Sequence, residues 1–330
     1  MNLMDLPDEI LKKIFLYLRW RTLKKINTTN RRIHKIICKN LCEMDRPKAK
    51  ELEISQINSP TGERLIKIFY SIKTQYEEDT GDVLMTISKK RRYFKNIVIY
   101  TISIARFDLS QLCELEINLD DNTDILRFLY VFYNRKNTLC RFSLKDSGRV
   151  SERKLVFDLS LLMQRLDDVS LINIELNFPN HKTNEKIVVT PSESLTAVRI
   201  HQKKGTNIIK PEMIANLVKN SPNLQLTKID VDNETDDFYT EVIDNLFKDS
   251  PSNLEERCDN DTCRLCFTRN KPLTSFENET LMLYFRKYKN DYDIVSDWKP
   301  NVRGNVLYTI NKKYCTCENG NKMEISFEFR

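Results

Sequence analysis

Glycine is scarce, six in 330 residues, and no two lie near each other. A phosphate-cradling glycine loop of the usual form is therefore excluded. The three histidines, His34, His181 and His201, are scattered and form no His-Glu-x-x-His or Cys/His pairing. That removes the common patterns of hydrolytic zinc. The nine cysteines run from Cys38 to Cys317, too thinly for a disulfide-built secreted scaffold, so free thiols in a reducing compartment are expected. The longest apolar run, residues 97–105, falls well short of the roughly 20 residues that cross a bilayer. Asp5, Asp8 and Glu9 interrupt the opening apolar positions, so no secretory signal is expected either. The sequons at Asn27, Asn233 and Asn278 then read as chance. These absences point to a cytoplasmic and/or nuclear protein with no membrane partner and no cofactor.

What is present is uneven. The net charge is +6, but residues 1–50 hold 13 Lys and Arg against 5 Asp and Glu, leaving the remainder near −2. The body of the chain is not a basic nucleic-acid binder. With 40% hydrophobic and 30% charged residues, it has the means to build a packed core.

The cationic start is also strongly apolar. Pro7 suits a helix N-terminus, with Asp8 and Glu9 at the positive end of the helix dipole. Ile10, Leu11, Ile14, Phe15 and Leu18 follow at helical spacing as a wide stripe. Thr22 can cap a second helix carrying Leu23 and Ile26, and Asn30 a third carrying Ile33, Ile36 and Ile37. Three short helices in about 35 residues are mostly surface, so part of the apolar face needs a partner. The run Leu6-Pro7-Asp8-Glu9-Ile10, then Ile14-Phe15-Leu16-Tyr17-Leu18, Thr22-Leu23 and Asn30-Arg31-Arg32-Ile33, resembles the F-box. Asn30 and Ile33 stand where that family often has Cys and an aromatic residue. The resemblance implies docking on a Skp-type adaptor and, through it, on a cullin. It also implies that Leu6, Pro7, Ile10, Leu11, Ile14, Phe15, Leu18, Leu23 and Ile26 form the adaptor-binding surface and the small core behind it.

A second pattern recurs further on, apolar-x-x-apolar-x-apolar. It runs through Phe94/Ile97/Ile99, Leu112/Leu115/Ile117, Leu139/Phe142/Leu144, Leu171/Ile174/Leu176, Leu195/Val198/Ile200 and Leu226/Ile229/Val231. Thr262/Leu265/Phe267 is a degenerate seventh match and Ala49/Leu52/Ile54 an outlying first. Starts lie about 18, 27, 32, 24, 31 and 36 residues apart, near or beyond the roughly 20–29 of leucine-rich repeats. Each match ends like a short strand. Residues 123–137, 210–223 and 235–253 read as helices between them, two ending in a Ser-Pro turn. This half resembles a divergent leucine-rich-repeat set, although the Asn or Cys that usually follows the pattern is mostly absent. A parallel α/β domain of another kind remains the alternative.

On that resemblance Glu114, Glu116, Arg141, Ser143, Asn173, Glu175, Arg199, His201, Lys228 and Asp230 would face a protein target from the hollow of an arc. A surface of both signs suits a protein better than a polyanion. The expected architecture is α+β or α/β. It comprises a three-helix F-box-like module (1–42), a linker or helical connection (43–92), a curved leucine-rich-repeat-like strand–helix solenoid (93–270) and an irregular cap (271–330). Residues 63–82 read as a helix of the connection, 88–95 as a basic surface loop, and 305–311 and 323–329 as strands of the cap. Cys263, Cys266, Cys315 and Cys317 have metal-like spacing, but residues three apart on a strand point to opposite faces, so no metal is expected. Asp146-Ser147-Gly148 reads as a turn. The function expected is substrate recognition for a cullin–RING ubiquitin ligase, without catalysis by the chain itself. A non-ligase interaction scaffold is the alternative. A helix-turn-helix DNA-binding regulator ranks third, because Ile33, Ile36 and Ile37 dominate the helix that would have to present polar side chains to bases.

Overall fold

A computed structural model of the chain describes residues 3–40, 43–58, 60–77, 83–95, 103–133, 138–178, 187–202, 208–230, 236–247, 263–268, 274–288, 292–298, 306–312 and 324–329. The fold mixes helices with mostly parallel strands. It divides into two compact units, residues 1–114 with 131–137, and residues 115–130 with 138–330. No helix among the described residues is long and apolar enough to cross a membrane.

The first unit begins with three short helices, α1 (Asp8–Leu16), α2 (Trp20–Ile26) and α3 (Arg31–Lys39). Pro7 is the N-cap of α1, its carbonyl accepting from Ile10 and Leu11. Asn30 caps α3 as expected, accepting from the Arg32 amide at 2.7 Å. Thr22 does not cap α2, which starts two residues earlier. There the Trp20 amide donates to Asp45 Oδ2 at 2.8 Å, a cap supplied from 25 residues away that no local pattern announces. Three antiparallel strands follow, β1 (Ala49–Asn58), β2 (Arg64–Glu77) and β3 (Val83–Phe94).

Over Arg64–Glu77 the helix expected at 63–82 is therefore a strand, and residues 78–82 lie outside the described residues. Ile66, Phe69 and Tyr70 fit a helical face, but Ile68, Tyr70 and Ile72 are the buried ones, and they alternate. Short β-branched and aromatic runs satisfy both periods, and strand pairing decides between them. The basic segment expected as a loop lies largely on β3, and Ala49/Leu52/Ile54 belongs to the antiparallel strand β1. Ile97 and Ile99 of the Phe94 match lie outside the described residues.

In the second unit the strands are β4 (Glu114–Leu119, entered from the first unit), β5 (Leu139–Asp146), β6 (Val169–Leu176), β7 (Ala197–Gln202), β8 (Leu226–Asp230) and β9 (Cys263–Thr268). They lie side by side in chain order, and β5 to β9 are parallel throughout. From β4 to β9 the order does not reverse, so this run of strands has no switch-point crevice of the doubly wound kind. Helices α4 (Asp124–Phe132), α5 (Glu152–Arg165), α6 (Pro211–Asn220) and α7 (Asp236–Phe247) connect neighbours. After β9 come α8 (Ser275–Phe285), β10 (Tyr292–Trp298), β11 (Val306–Lys312) and β12 (Glu324–Phe329). The last three form an antiparallel set whose β12 pairs in parallel with β9. The two tail strands expected over 305–311 and 323–329 are, within the described residues, β11 and β12.

The register moves two of the expected repeat matches. Leu139, Phe142 and Leu144 stand opposite Val169, Ile172 and Ile174, not Leu171, Ile174 and Leu176. Ile172 and Ile174 oppose Val198 and Ile200, which oppose Thr227 and Ile229. The equivalent starts are thus Leu139, Val169, Leu195 and Leu224, all buried. Their separations become 30, 26 and 29 residues in place of 32, 24 and 31. A two-residue slip keeps every side chain on its own face, which is why the sequence pattern alone tolerates it.

Polar ties repeat with the same period. The Ser147 hydroxyl donates to Asp120 O at 2.9 Å and the Asn177 amide to Ser147 O at 3.0 Å. The Thr138 hydroxyl donates to Asp168 Oδ2 at 2.9 Å, and the Asn223 side chain to Glu193 O at 2.7 Å. The Ser-Pro-Asn turn after α6 thus fastens itself to the neighbouring unit of structure. Gly148 sits at φ +87°, and a Cβ there would lie 2.4 Å from Asn177 Nδ2 and 2.8 Å from its carbonyl oxygen. Only glycine fits where these two turns meet.

Candidate interaction surfaces

In the N-terminal helices, Leu11, Phe15, Leu23, Ile33, Ile36, Ile37 and Met44 form one buried cluster, with Met4, Leu6, Ile14, Leu18 and Ile26 packed against it and partly exposed. The nine residues expected at an adaptor surface therefore divide. Leu11, Phe15 and Leu23 are 0%, 1% and 4% exposed, so they are core and cannot touch a partner directly. Pro7 and Ile10 are exposed, the latter at 40%. Leu6, Ile14, Leu18 and Ile26 stand between. Leu16 (37%) and Tyr17 (90%) add apolar surface that the stripe reading left unassigned. Leu16 falls outside the i, i+3, i+4 spacing that singles out a core face, whereas Tyr17 stands three residues after Ile14 on the exposed edge of the stripe.

Arg32 holds this surface in place. Its Nη1 donates to Met4 O at 2.6 Å, its Nη2 to Leu6 O at 2.7 Å and its Nε to Asp8 Oδ1 at 2.7 Å. One guanidinium fork thus pins the segment entering α1 onto α3, with directional charge-assisted bonds. Lys12 pairs with Glu43 at 2.8 Å. Only the fold reveals the acceptors of these two cations.

In the second unit the strands bury one face and leave the other open. Rings on the buried side meet helices, Tyr239 of α7 lying 5.3 Å from Phe267 and Phe285 of α8 5.3 Å from Phe327. The residues expected to face a target are on the open side. Glu116, Arg141, Asn173, Arg199 and His201 are exposed, while Ser143, Glu175, Lys228 and Asp230 are half-buried. Glu114, at the start of β4, is also half-buried.

The register sorts this face into rows. Leu171, Ala197 and Leu226 form a half-buried apolar row ending in exposed Arg264. Asn173, Arg199 and Lys228 form the next row. Lys145, Glu175, His201 and Asp230 form the third. The third row satisfies itself, since Lys145 pairs with Glu175 at 2.9 Å and His201 Nδ1 meets the Asp230 carboxylate. No carboxylate among the described residues pairs with Arg199, Lys228 or Arg264. On β7 to β9 the face that reads as mixed in sequence thus keeps three cations, Arg199, Lys228 and Arg264, without a carboxylate partner among the described residues.

A further ionisable pair serves the scaffold. Asp158 of α5 is fully buried, accepting from the Thr123 hydroxyl and, at 2.6 Å, from Arg127 Nε. The Asp158 hydrogen bond, then its charge, raises the Arg127 pKa. Cys263 and Cys266 are buried three apart on β9. Cys315 and Cys317 lie outside the described residues, and no metal-holding cluster occurs among those described. Compared with protein-family models and with curated proteins, the chain gives no match.

Proposed function

We propose that this chain is the substrate-recognition subunit of a cullin–RING ubiquitin ligase. Its N-terminal helices hold a Skp-type adaptor, and the open strand face of a leucine-rich-repeat-like solenoid holds a protein target. The chain contributes no catalytic group. It brings a target to the transferring enzyme and so raises effective concentration. The observation that carries this reading is the apolar surplus of α1. Leu11 and Phe15 already fill the core while Pro7, Ile10, Leu16 and Tyr17 remain in solvent, and a partner is the economical way to cover them. The cations Arg199, Lys228 and Arg264, without a carboxylate partner among the described residues, favour a target segment rich in carboxylates.

The test is co-purification of the full chain with a Skp-type adaptor, for the native protein and for Ile10→Asp combined with Tyr17→Asp. Native binding lost in the variant supports the proposal. Absence of native binding removes the ligase reading and leaves an interaction scaffold built on the same strand face.

A further inference from the structure

Within the first unit, α2, α3, β2, β3 and residues 103–107 enclose a cleft of about 200 Å³. At about 30 Å³ per water that is room for roughly seven waters. Its size suits a small acid group attached to one ring, and is too small for a nucleic-acid strand. The base of the cleft is apolar and aromatic. Tyr70 and Phe107 lie 4.5 Å apart between ring centroids, and Trp20 adds a third ring to the lining.

Around this base stand Lys24, Arg46, Lys90, Arg92 and Arg106, against a single lining carboxylate, Asp45. Asp45 already accepts the Trp20 amide. No carboxylate among the described residues pairs with Lys24, Lys90, Arg92 or Arg106. The Arg92 guanidinium lies 5.9 Å from the Tyr70 ring centre, so charge and aromatic surface share one place. Arg46 is fixed by two bonds from Nη1, to Ala105 O at 3.0 Å and Phe107 O at 2.9 Å. Its Nε is buried without a partner. A buried donor without an acceptor is costly, and in native proteins it marks a place to look for a missing ligand. Cations gathered without counter-charges also repel one another, and a polyanion relieves both conditions.

From this geometry we propose that the cleft binds an aromatic phosphomonoester. The phosphate supplies close to two negative charges and three strong acceptor oxygens to the cations and to Arg46, while the ring lies against half-buried Trp20, over the buried pair Tyr70 and Phe107. The same chemistry is offered by a free aryl phosphate and by a phosphotyrosine side chain. The site is separate from the apolar face of α1 and does not depend on adaptor binding.

Titration of the full chain with phenyl phosphate, followed by phosphorus NMR line width and by calorimetry, tests it. Saturable binding is expected, with phenol and inorganic phosphate each at least about tenfold weaker. Arg92→Gln combined with Arg106→Gln changes exposed positions, and circular dichroism checks the fold. The pair should weaken phenyl phosphate at least about tenfold, and Lys90→Gln serves as an independent variant with a smaller loss. A phosphotyrosine peptide binding more tightly than phenyl phosphate assigns the site to a modified protein partner, and equal or weaker binding assigns it to a free small molecule. No saturable binding of phenyl phosphate, equal binding of inorganic phosphate, or undiminished binding by the Arg92/Arg106 variant overturns the proposal.

Discussion

In the N-terminal helices apolar side chains outnumber the places in the core, and the surplus stands in solvent on α1. On the open face of β5 to β9 the apolar residues are half-covered and the surplus is charge, with Arg199, Lys228 and Arg264 left over after the acids have paired. The two surfaces answer to different physics. Binding on the first is driven by area removed from water and resists salt. Binding on the second is steered by charge and weakens as salt screens it. On the proposed function, one chain would thereby hold its adaptor durably and exchange its target.

The sharpest way to break this comparison is to exchange core and surface within α1. Leu11→Ala or Phe15→Ala should cost about 2–5 kcal/mol by leaving a cavity, enough to melt a module this small. Ile10→Ala and Tyr17→Ala should change stability by no more than about 0.5 kcal/mol, yet weaken adaptor capture. Denaturant midpoints and co-purification on the same four variants separate these outcomes. Equal destabilisation by Ile10→Ala would mean that α1 has no free face.

Next in size is Gly148→Ala. The positive φ and the overlap with Asn177 together should cost about 2 kcal/mol. The loss should appear in the unfolding of the second unit, since it pulls apart the tie between Ser147 and Asn177. Arg32→Ala follows at about 1–2 kcal/mol, because its three bonds are charge-assisted but the side chain is partly open to water. Its diagnostic readout is faster amide exchange over residues 4–8, with α3 unchanged. On the strand face, Arg199→Glu with Lys228→Glu should leave stability within about 0.5 kcal/mol. The same pair should weaken target binding and flatten its salt dependence, whereas Lys145→Gln, whose charge is already paired, should do much less.

The contrast also marks where sequence is informative. The three helices were legible because Ile10, Leu11, Ile14, Phe15 and Leu18 repeat at one period in a short span. Which of them are core was not, because exposure depends on how α3 and Met44 close over one side. The strands β5 to β8 were legible as alternating segments, and the face of every expected target residue follows from that alternation. Their register was not, because Leu171 and Leu226 are apolar on the open face and mimic core positions two residues away. β2 was missed because its run satisfies two periods at once. Neither the fork of Arg32 nor the capping of α2 by Asp45 has any local signature, since each joins residues more than 20 positions apart.

The last effect is read against pH and concerns the tail strands that complete the second unit. Tyr308 of β11 is fully buried and donates to the Asn278 side chain of α8, and burial pushes its phenol well above the ordinary value of 10.0. Burial and then a 2.5 Å bond to Asp244 do the same for Tyr288. A raised folded pKa means that the folded state keeps a proton the unfolded chain releases above pH 10. The stabilisation is therefore complete below pH 10 and is lost as pH climbs from there toward the folded value, at up to about 1.4 kcal/mol per pH unit for each phenol. Tyr308→Phe should cost only about 0.5–1.5 kcal/mol at pH 7 through the lost hydrogen bond. Above pH 10 it should flatten the decline, so the gap between variant and native protein narrows as alkalinity rises. Denaturant midpoints measured across that range decide the matter. A gap that stays constant would mean Tyr308 ionises in the folded protein as freely as in the unfolded chain, and that α8 and β11 are not packed around it.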